Sequence, residues 1–295
     1  MVIKHIVLQG GGAVGFRYIG MLQYLFEKGF YDINNIENIY ATSIGTLIGA
    51  FLCLKHSWDD LIKYIEHRPW ENVFRVSGQS IINLYSTKGL FDEQIIASIL
   101  KPLLVSKGLT ISTTLEDLFI FSNINAHFFT FNLNKHETID LNHVSYPDLP
   151  LIKAIFMSSA FPILCTPIII DGNCFVDGGI LCNYPLHICV DEHSDSDEIL
   201  GVRYTLRDNT INQISEESNL IDYILALLNI QIIPIEQQHP IHCIKNEIVS
   251  ICEESPMNVN ILLNISTSSI VRKEWIDHGR NDAKEWLESR VESNL

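Results

Sequence analysis

One short segment, residues 40–50 (YATSIGTLIGA), constrains the fold more than any other part of the chain. Residues 39–41 have the composition of the end of a buried strand, and residues 45–54 form an uninterrupted apolar run suited to a helix. Ser43 therefore falls on a sharp turn between a strand and a helix, beside the unpaired backbone N–H groups of the first helical turn. A serine in that position points its hydroxyl at a substrate, so the segment predicts a nucleophile elbow.

A glycine run precedes this segment and follows another predicted strand. Residues 3–8 (IKHIVL) are typical of a buried strand, and residues 9–15 (QGGGAVG) then lead into a helical pattern. Glycine exposes backbone amides to a ligand because no side chain covers them. Such donors stabilise the oxyanion that develops on an attacked carbonyl, and losing one good donor typically costs about 3–4 kcal/mol. The amides of Gly10, Gly11 and Gly12 are therefore candidates for an oxyanion hole.

A serine hydroxyl also needs a base, and Asp177 is the candidate that the sequence offers. Residues 167–179 contain two short β-rich runs around Asp171-Gly172, a dipeptide typical of a hairpin turn. Asp177 follows the second run, and two glycines free the backbone after it. Taken alone, Asp177 fits a structural turn better than a base, but in combination with Ser43 and the glycine run we interpret it as the base. We expect a hydrogen bond between the side-chain oxygens of Ser43 and Asp177 in a partly desolvated site.

The order of the predicted elements indicates an α/β fold with a mainly parallel central sheet flanked by helices. No internal repeat, low-complexity tract or linker divides the chain, so we expect one domain over residues 1–295. The predicted strands are 3–8, 38–41, 126–132, 199–206 and 258–265, with a hairpin at 168–179. The predicted helices are 16–28, 45–56, 58–66, 92–104, 151–159 and 270–288, with a helix starting at 112–117 on capping-box chemistry and a helical tail from about Asn219.

Four motifs resemble, in their order along the chain, those of patatin-like phospholipases. They are Gly10-Gly11-Gly12-Ala13-Val14-Gly15, Ala41-Thr42-Ser43-Ile44-Gly45, Ser158-Ser159-Ala160-Phe161-Pro162 and Asp177-Gly178-Gly179. The resemblance covers about residues 3–190, and the C-terminal portion is expected to complete the same domain. It implies a Ser–Asp dyad, without histidine, that hydrolyses acyl esters of phospholipids or related lipids through an acyl-enzyme. It makes Ser43 the nucleophile, Asp177 the base and Gly10 to Gly12 the oxyanion loop.

The chain departs from the family's pattern at Ala41, which occupies the first position of a motif that is commonly Gly-x-Ser-x-Gly. A methyl group there would tighten the elbow or slow the reaction, yet a strand residue tolerates it if the steric demand of the turn falls mainly on Gly45. Asn183 matches an asparagine position of the family. It either braces the aspartate loop or caps backbone groups of its own loop.

Three other functions fit parts of the sequence. Gly10, Gly12 and Gly15 satisfy the Gly-x-Gly-x-x-Gly of a dinucleotide-binding oxidoreductase, but Asp32 does not close the second strand as that fold requires. A Ser-His-Asp esterase would need a histidine after the aspartate, and none of those present has a distinctive local setting. They are His187, His193, His239, His242 and His278. A non-catalytic lipid-binding scaffold is the third alternative, and the intact candidate site weighs against it.

Charge and cysteine usage restrict the partners. The formal net charge of −15, without a basic run, argues against nucleic-acid binding. The seven cysteines lack close Cys-x-x-Cys spacing, which predicts reduced core thiols in an intracellular, cytoplasmic protein. The acidic stretch 191–198 has no glycine-centred calcium-loop pattern, so we expect no metal, no other cofactor and no calcium dependence.

The apolar segments predict neither a signal peptide nor a transmembrane helix. Lys4 and His5 interrupt the first apolar run, and residues 220–235 are too polar and too broken to span a bilayer. We expect peripheral, transient membrane contact through apolar residues near the site, with 74–90 or 220–235 as covering segments, although such segments are more often ordinary core. Arg17 is interpreted as a structural residue of the first helix rather than a phosphate ligand.

Overall fold

A mixed sheet of eight strands forms the centre of the protein in its computed structural model. The structure describes residues 2–193, 195–207, 243–253 and 259–292, together with single residues and short stretches between 214 and 228. The strands are β1 (His5–Leu8), β2 (Asn38–Thr42), β3 (Gly89–Phe91), β4 (Asn125–Asn132), β5 (Glu137–Leu141), β6 (Ile163–Cys165), β7 (Ile168–Ile170), β8 (Asn173–Asp177), β9 (Ile199–Leu206) and β10 (Glu247–Cys252). The main sheet has the order β10-β9-β1-β2-β4-β8-β7 with β5 also on β4, and β3 pairs with β6 separately.

The register of the central strands decides which residues meet at one edge of the sheet. β10, β9, β1, β2 and β4 run parallel, so their carboxyl ends lie along the same edge. β8 runs antiparallel to β4 and pairs Asp177 with Thr130. Phe129, the residue before Thr130, pairs with Thr42, the last residue of β2. The end of β8 and the end of β2 therefore flank the same part of β4.

Helices cover both faces of the sheet. They are α1 (Gly15–Glu27), α2 (Ile44–Cys53), α3 (Trp58–His67), α4 (Gly78–Thr87), α5 (Gln94–Ser106), α6 (Leu115–Ser122), α7 (Leu151–Ser158), α8 (Leu186–Glu192), α9 (Val259–Thr267) and α10 (Ser269–Glu292). Ile6 and Leu8 of β1 belong to the larger apolar core, whereas Val7 packs in a smaller cluster with Leu186 of α8. Within the described residues, no helix combines the length and apolar character needed to cross a bilayer.

The C-terminal segment is part of the same layered structure. β10 extends the sheet at its edge, and α10 lies along α1. The Arg17 guanidinium of α1 donates hydrogen bonds to Ser250 Oγ and to the carbonyl of Ile251, both at 3.0 Å, and lies over the Trp275 ring. Arg17 therefore ties α1 to β10 and α10, which confirms its structural interpretation.

Most predicted elements are present, with bounds shifted by a few residues. The hairpin is confirmed, with Asp171-Gly172 between β7 and β8, and so is the capping box, which Thr114 and Asp117 form at the start of α6. The predicted parallel pairing is confirmed for five strands of the main sheet, whereas β5, β7 and β8 pair in antiparallel fashion.

One predicted strand is wrong, and several elements were not predicted. The described part of residues 258–265 lies in α9, whose Leu262, Ile265 and Ser266 recur at helical spacing on the side that lines a cavity. A short apolar run does not distinguish a strand from a buried helix by pattern alone. The helices α4 and α8 and the strands β3, β5, β6 and β10 were missed, and most of the predicted tail helix from Asn219 lies outside the described residues.

Candidate active site

Ser43 occupies a strained turn between β2 and α2. Its φ is 53° and its ψ is −125°, a conformation that a residue with a side chain rarely adopts. Backbone strain of this kind costs on the order of 1–3 kcal/mol and persists only where the surrounding structure enforces it. Here the surrounding structure is the start of α2 packed closely against β1. Only a glycine fits at position 45, because a Cβ there would lie 2.7 Å from the carbonyl oxygen of Leu8. The close approach of α2 to β1 thus holds the Ser43 side chain at the carboxyl edge of the sheet.

Asp177 lies directly beside this serine. Ser43 Oγ donates a hydrogen bond to Asp177 Oδ2 at 2.7 Å, so the expected contact between the two side chains is present. The other carboxylate oxygen, Oδ1, accepts the backbone N–H of Gly179 at 2.7 Å. Asp177 is only 2% exposed, whereas Ser43 is partly exposed. The carboxylate is therefore fixed in a dry position from which it can accept the serine proton.

Burial changes the acid–base strength of this carboxyl group. Removal from water raises the pKa of Asp177 from 3.8 to about 6, while the hydrogen bonds from Ser43 and Gly179 act in the opposite direction. A carboxylate with a pKa near 6 is a better base than an ordinary aspartate and is still ionised at neutral pH. The local environment therefore fits a general base.

Ser158, at the end of α7, braces the turn from the other side. Its hydroxyl accepts the backbone N–H of Ser43 at 2.9 Å and donates to the carbonyl of Phe129 at 2.5 Å. Ser158 is fully buried, so both contacts lie out of water. The sequence placed Ser158 in a family motif without a role, because only the folded chain brings α7 and β4 against the elbow.

The glycine loop after β1 lies beside Ser43, but its three amides differ. The N–H of Gly10 donates to the backbone carbonyl of Asn183 at 3.0 Å and is therefore engaged within the protein. In the described part of the chain, the N–H groups of Gly11 and Gly12 have no such acceptor. Gly12 has a φ of 54° and lines the same cavity as Ser43. Gly11 and Gly12 are thus the loop residues whose amides are open to a ligand.

Asn183 links the glycine loop to the aspartate loop. Besides accepting the Gly10 N–H, it places its Oδ1 where a Cβ on Gly10 would lie only 2.3 Å away and one on Gly179 only 2.8 Å away. Ala41 is accommodated without a clash: it is buried in β2, and a Cβ on the facing Gly49 would lie 3.9 Å from the Ala41 methyl.

An apolar cavity of about 280 Å³ opens beside the Ser43 hydroxyl. Its volume is near the lower end of ligand pockets, which span about 300–1,000 Å³. Gly12 and Ser43 stand at the polar end, and the remaining lining is almost wholly aliphatic and aromatic. Representative lining residues are Leu47, Phe51, Trp70, Phe91, Ile99 and Phe156. The cavity suits a hydrocarbon chain, because none of the described residues that line it is charged.

The residues that the alternative enzyme functions would need are engaged in structural contacts where the structure describes them. Asp32 accepts the N–H of Asn34 at 2.9 Å and caps a turn before β2, so it does not stand where a ribose-binding acid is needed. His193 stacks on His5 with ring centroids 3.7 Å apart, whereas Asp177 already has both oxygens occupied. His239 and His242 lie outside the described residues.

The thiols and possible metal ligands do not form a second site near Ser43. Cys53 is buried in α2, and burial raises the pKa of its thiol to about 12, which makes it an inert core residue. In the parts of the chain that the structure describes, His, Cys, Asp and Glu do not gather into a group of three that could hold a metal ion.

The α/β sheet, the elbow between β2 and α2 and the adjoining apolar cavity have the architecture of a patatin-like fold. The family model of patatin-like phospholipases matches residues 6–190. Because that match spans more than half of the sequence, the chain belongs to the patatin-like phospholipase family, and the resemblance of its motifs is confirmed.

Two viral proteins and one animal protein are among the relatives. The chain is 28% identical over 233 residues to the uncharacterized protein R571 of Acanthamoeba polyphaga mimivirus, covering 76% of this chain and 74% of that protein. It is 25% identical over 229 residues to the probable lipid hydrolase 463L of Invertebrate iridescent virus 6, covering 74% and 76%. A patatin-like phospholipase domain-containing protein of Caenorhabditis elegans, ZK370.4, is 27% identical over 223 residues, which are 74% of this chain and 14% of that longer protein.

Solved structures share the fold at low sequence identity. VipD from Legionella pneumophila superposes with a TM-score of 0.56 at 18% identity, over 98% of this chain and 67% of VipD. The type III effector protein ExoU gives a TM-score of 0.51 at 13% identity, over 98% of this chain and about half, 53%, of that chain. These similarities support the patatin fold for almost the whole described sequence.

Proposed function

We propose that the protein is a lipid acyl hydrolase that cleaves carboxylic esters of phospholipids or related lipids, with Ser43 as nucleophile and Asp177 as general base. The observation that carries this proposal is the 2.7 Å hydrogen bond from Ser43 Oγ to a buried carboxylate, at the polar end of an apolar cavity. Membership of a family of lipid hydrolases supports the same conclusion.

The proposed reaction uses only groups of the chain, the ester and water. Ser43 Oγ attacks the ester carbonyl carbon while its proton passes to Asp177 Oδ2. The carbonyl oxygen becomes an oxyanion, and the amides of Gly11 and Gly12 donate to it. When the C–O bond to the leaving alcohol breaks, the alcohol takes the proton from Asp177. An acyl group then remains on Ser43 Oγ.

Water completes the cycle by the same route. Asp177 accepts a proton from the attacking water, the same amides stabilise the second oxyanion, and the acyl group leaves as a carboxylic acid. Ser43 regains its proton from Asp177. The raised pKa of Asp177 suits both directions of transfer, because the group exchanges a proton readily near neutral pH.

The cavity suggests which part of the substrate the protein holds. Its aliphatic and aromatic lining would bury the acyl chain, with the ester at Ser43 and the remainder of the lipid towards solvent. Lipids of this kind reside in membranes, so we propose peripheral, transient contact with a lipid surface. None of the seven cysteines, all of which the structure describes, forms a disulfide, which fits a reducing, intracellular compartment.

The dyad can be tested with two substitutions and a matched control. Ser43→Ala and Asp177→Asn should each reduce hydrolysis of a fluorogenic short-chain ester and of phospholipid by at least about 10³-fold, since paired catalytic groups act as a unit. Ser159→Ala removes another hydroxyl that lines the same cavity and should retain activity within a few-fold. Circular dichroism and thermal unfolding establish that each variant is folded.

Two outcomes would reject the dyad. One is retained turnover in folded Ser43→Ala or Asp177→Asn protein, and the other is an equal loss in Ser159→Ala protein. A lipidomic comparison of membranes incubated with the wild type and with the Ser43→Ala variant then identifies the headgroup, ester position and chain length that the enzyme prefers.

A further inference from the structure

Helix α4 projects apolar side chains into solvent without packing on the core. None of its residues is buried, so of the two alternatives that the sequence left for residues 74–90, a covering segment or ordinary core, this helix does not fit ordinary core. Tyr85 is 98% exposed and Ile82 is 73% exposed, and Ile81 is exposed as well. These three positions lie within four residues of one another and share one side of the helix. An apolar side of this kind in water marks an interaction surface.

The chain on each side of α4 lines the cavity at Ser43. Phe74 and Val76 precede the helix, and Leu90 and Phe91 follow it, and all four line that cavity. Val76 is also 41% exposed, so it stands at the mouth rather than in the interior. The chain therefore connects both ends of α4, within a few residues, to side chains that line the cavity.

A second partly exposed apolar residue, on another helix, also lines the cavity. Leu263 of α9 lines the cavity and is 48% exposed. Together with Val76 it gives the mouth an apolar rim, which a lipid chain could cross without entering water. We call the two rim residues and the exposed apolar residues of α4 together the mouth surface, comprising Val76, Ile81, Ile82, Tyr85 and Leu263.

Charge favours a lipid surface over another acidic protein as the occupant. The chain carries a net charge of −15, yet residues 76–87 contain no charged side chain. The segment is bracketed by two exposed cations, Arg75 and Lys88. Apolar side chains between cations match the boundary of a phospholipid layer, where phosphates lie above acyl chains. A second copy of the chain would bring a further net charge of −15 to the contact.

We propose that α4 docks on a phospholipid surface and places the mouth of the cavity against it. Ile82 and Tyr85 enter the boundary between headgroups and acyl chains, while Arg75 and Lys88 contact lipid phosphates. A lipid chain then passes over the apolar rim to Ser43. The use of the docked position for hydrolysis rests on the proposed function, whereas the docking itself does not require catalysis.

Binding to vesicles separates docking from turnover. The full chain carrying Ser43→Ala, which leaves the lipid intact, is mixed with phosphatidylcholine vesicles and its bound fraction is measured by flotation. Adding Ile82→Asp and Tyr85→Asp should weaken binding at least tenfold, because two apolar side chains lose their burial. Ile120→Asp is the matched control: Ile120 is also 73% exposed, but it lies on α6, which does not line the cavity. It should bind within twofold of the parent.

The outcomes that overturn the docking are distinct. Equal vesicle affinity of the α4 variant and the Ile120→Asp control would overturn it. So would unchanged vesicle binding combined with loss of a dimer in sedimentation, since a second copy would then be the occupant.

Turnover in the Ser43-containing protein tests the link to the proposed function. The Ile82→Asp, Tyr85→Asp variant should hydrolyse a water-soluble short-chain ester at the wild-type rate and vesicle phospholipid at least tenfold more slowly. If the wild type hydrolyses neither substrate but still binds vesicles through α4, the proposed function fails and the docking stands. Equal loss on both substrates would instead show that α4 supports the fold of the site, against the docking.

Discussion

Ser43 Oγ and Asp177 Oδ2 lie 2.7 Å apart although 134 positions separate the two residues in the chain. The strand register brings the two side chains together, because Thr42 pairs with Phe129 and Asp177 pairs with the next residue of β4. The positive φ of Ser43 then turns its side chain towards the carboxylate. The contact therefore depends on the pairing of three strands and on one strained turn, both formed before any substrate binds.

The raised pKa of Asp177 should set the pH dependence of turnover. A general base works only when ionised, so kcat/KM for an uncharged ester should increase with pH and level off above a midpoint near the value of about 6. A stopped assay across the acid and neutral range gives this midpoint. Profiles at two temperatures identify the group, since the pKa of a carboxyl hardly changes with temperature whereas that of an imidazole falls on warming. A midpoint that falls on warming would point to a histidine base instead.

Burial of the same carboxylate should make the contribution of Asp177 to the free energy of unfolding smaller at neutral pH than at acid pH. The folded state holds its proton up to about pH 6 and the unfolded state releases it near 3.8, so stability from this group is full below 3.8 and is lost as pH rises through 6. The loss is on the order of 3 kcal/mol well above pH 6. Asp177→Asn keeps a partner for Ser43 and for Gly179 but cannot ionise.

Denaturant unfolding of both proteins at several pH values checks this linkage. The asparagine variant should gain stability relative to the wild type as the pH rises from 4 to 8. Other titrating groups cancel in the difference between the two proteins. A difference that does not vary with pH would show that the folded and unfolded states share the same aspartate pKa.

The sequence predicted the parts of this site that depend on local turn chemistry. Ser43 was identifiable from a strand, a sharp turn and an apolar helix, and the hairpin before Asp177 from its Asp-Gly turn. The brace by Ser158 and the engagement of the Gly10 amide by Asn183 depend instead on tertiary packing, which no local pattern records. They became visible only with the folded chain.

Similar reasons explain the errors in the fold. Periodicity identified the strands whose β-branched runs lie inside the sheet, and β9 has the predicted bounds. Helix α4 was missed because it has no buried side to give its sequence a helical period. The short strand β10 lies at the sheet edge, and its residues EIVSIC mix apolar and polar side chains without a turn signal on each side.

Ser158→Ala should impair the elbow without removing either member of the proposed dyad. The change leaves the backbone N–H of Ser43 and the carbonyl of Phe129 without their buried partner. Each unsatisfied buried group costs roughly 1–3 kcal/mol, so unfolding should require less denaturant. We expect kcat to fall about tenfold or more with little change in KM, because the nucleophile is displaced while the cavity is intact. Ser159→Ala serves as the control, and equal kcat values for the two variants would contradict a positioning role for Ser158.

Gly10→Ala tests whether the close approach of the glycine loop to the nucleophile is required. The new methyl would lie 2.3 Å from Asn183 Oδ1 and 3.1 Å from Ser43 Cβ, so the loop or the elbow must move. A displacement of about 1 Å at a reacting group can cost 10²-fold in rate, and we expect a loss in kcat of that order on a soluble ester. Gly78→Ala is the control, because a methyl there meets nothing within 4 Å.

Adding Asn183→Ala to Gly10→Ala removes the nearest obstacle and should restore part of the lost rate, provided that the two sites are coupled. Wild-type kcat in the folded Gly10→Ala protein would show that the loop has room that the structure does not provide.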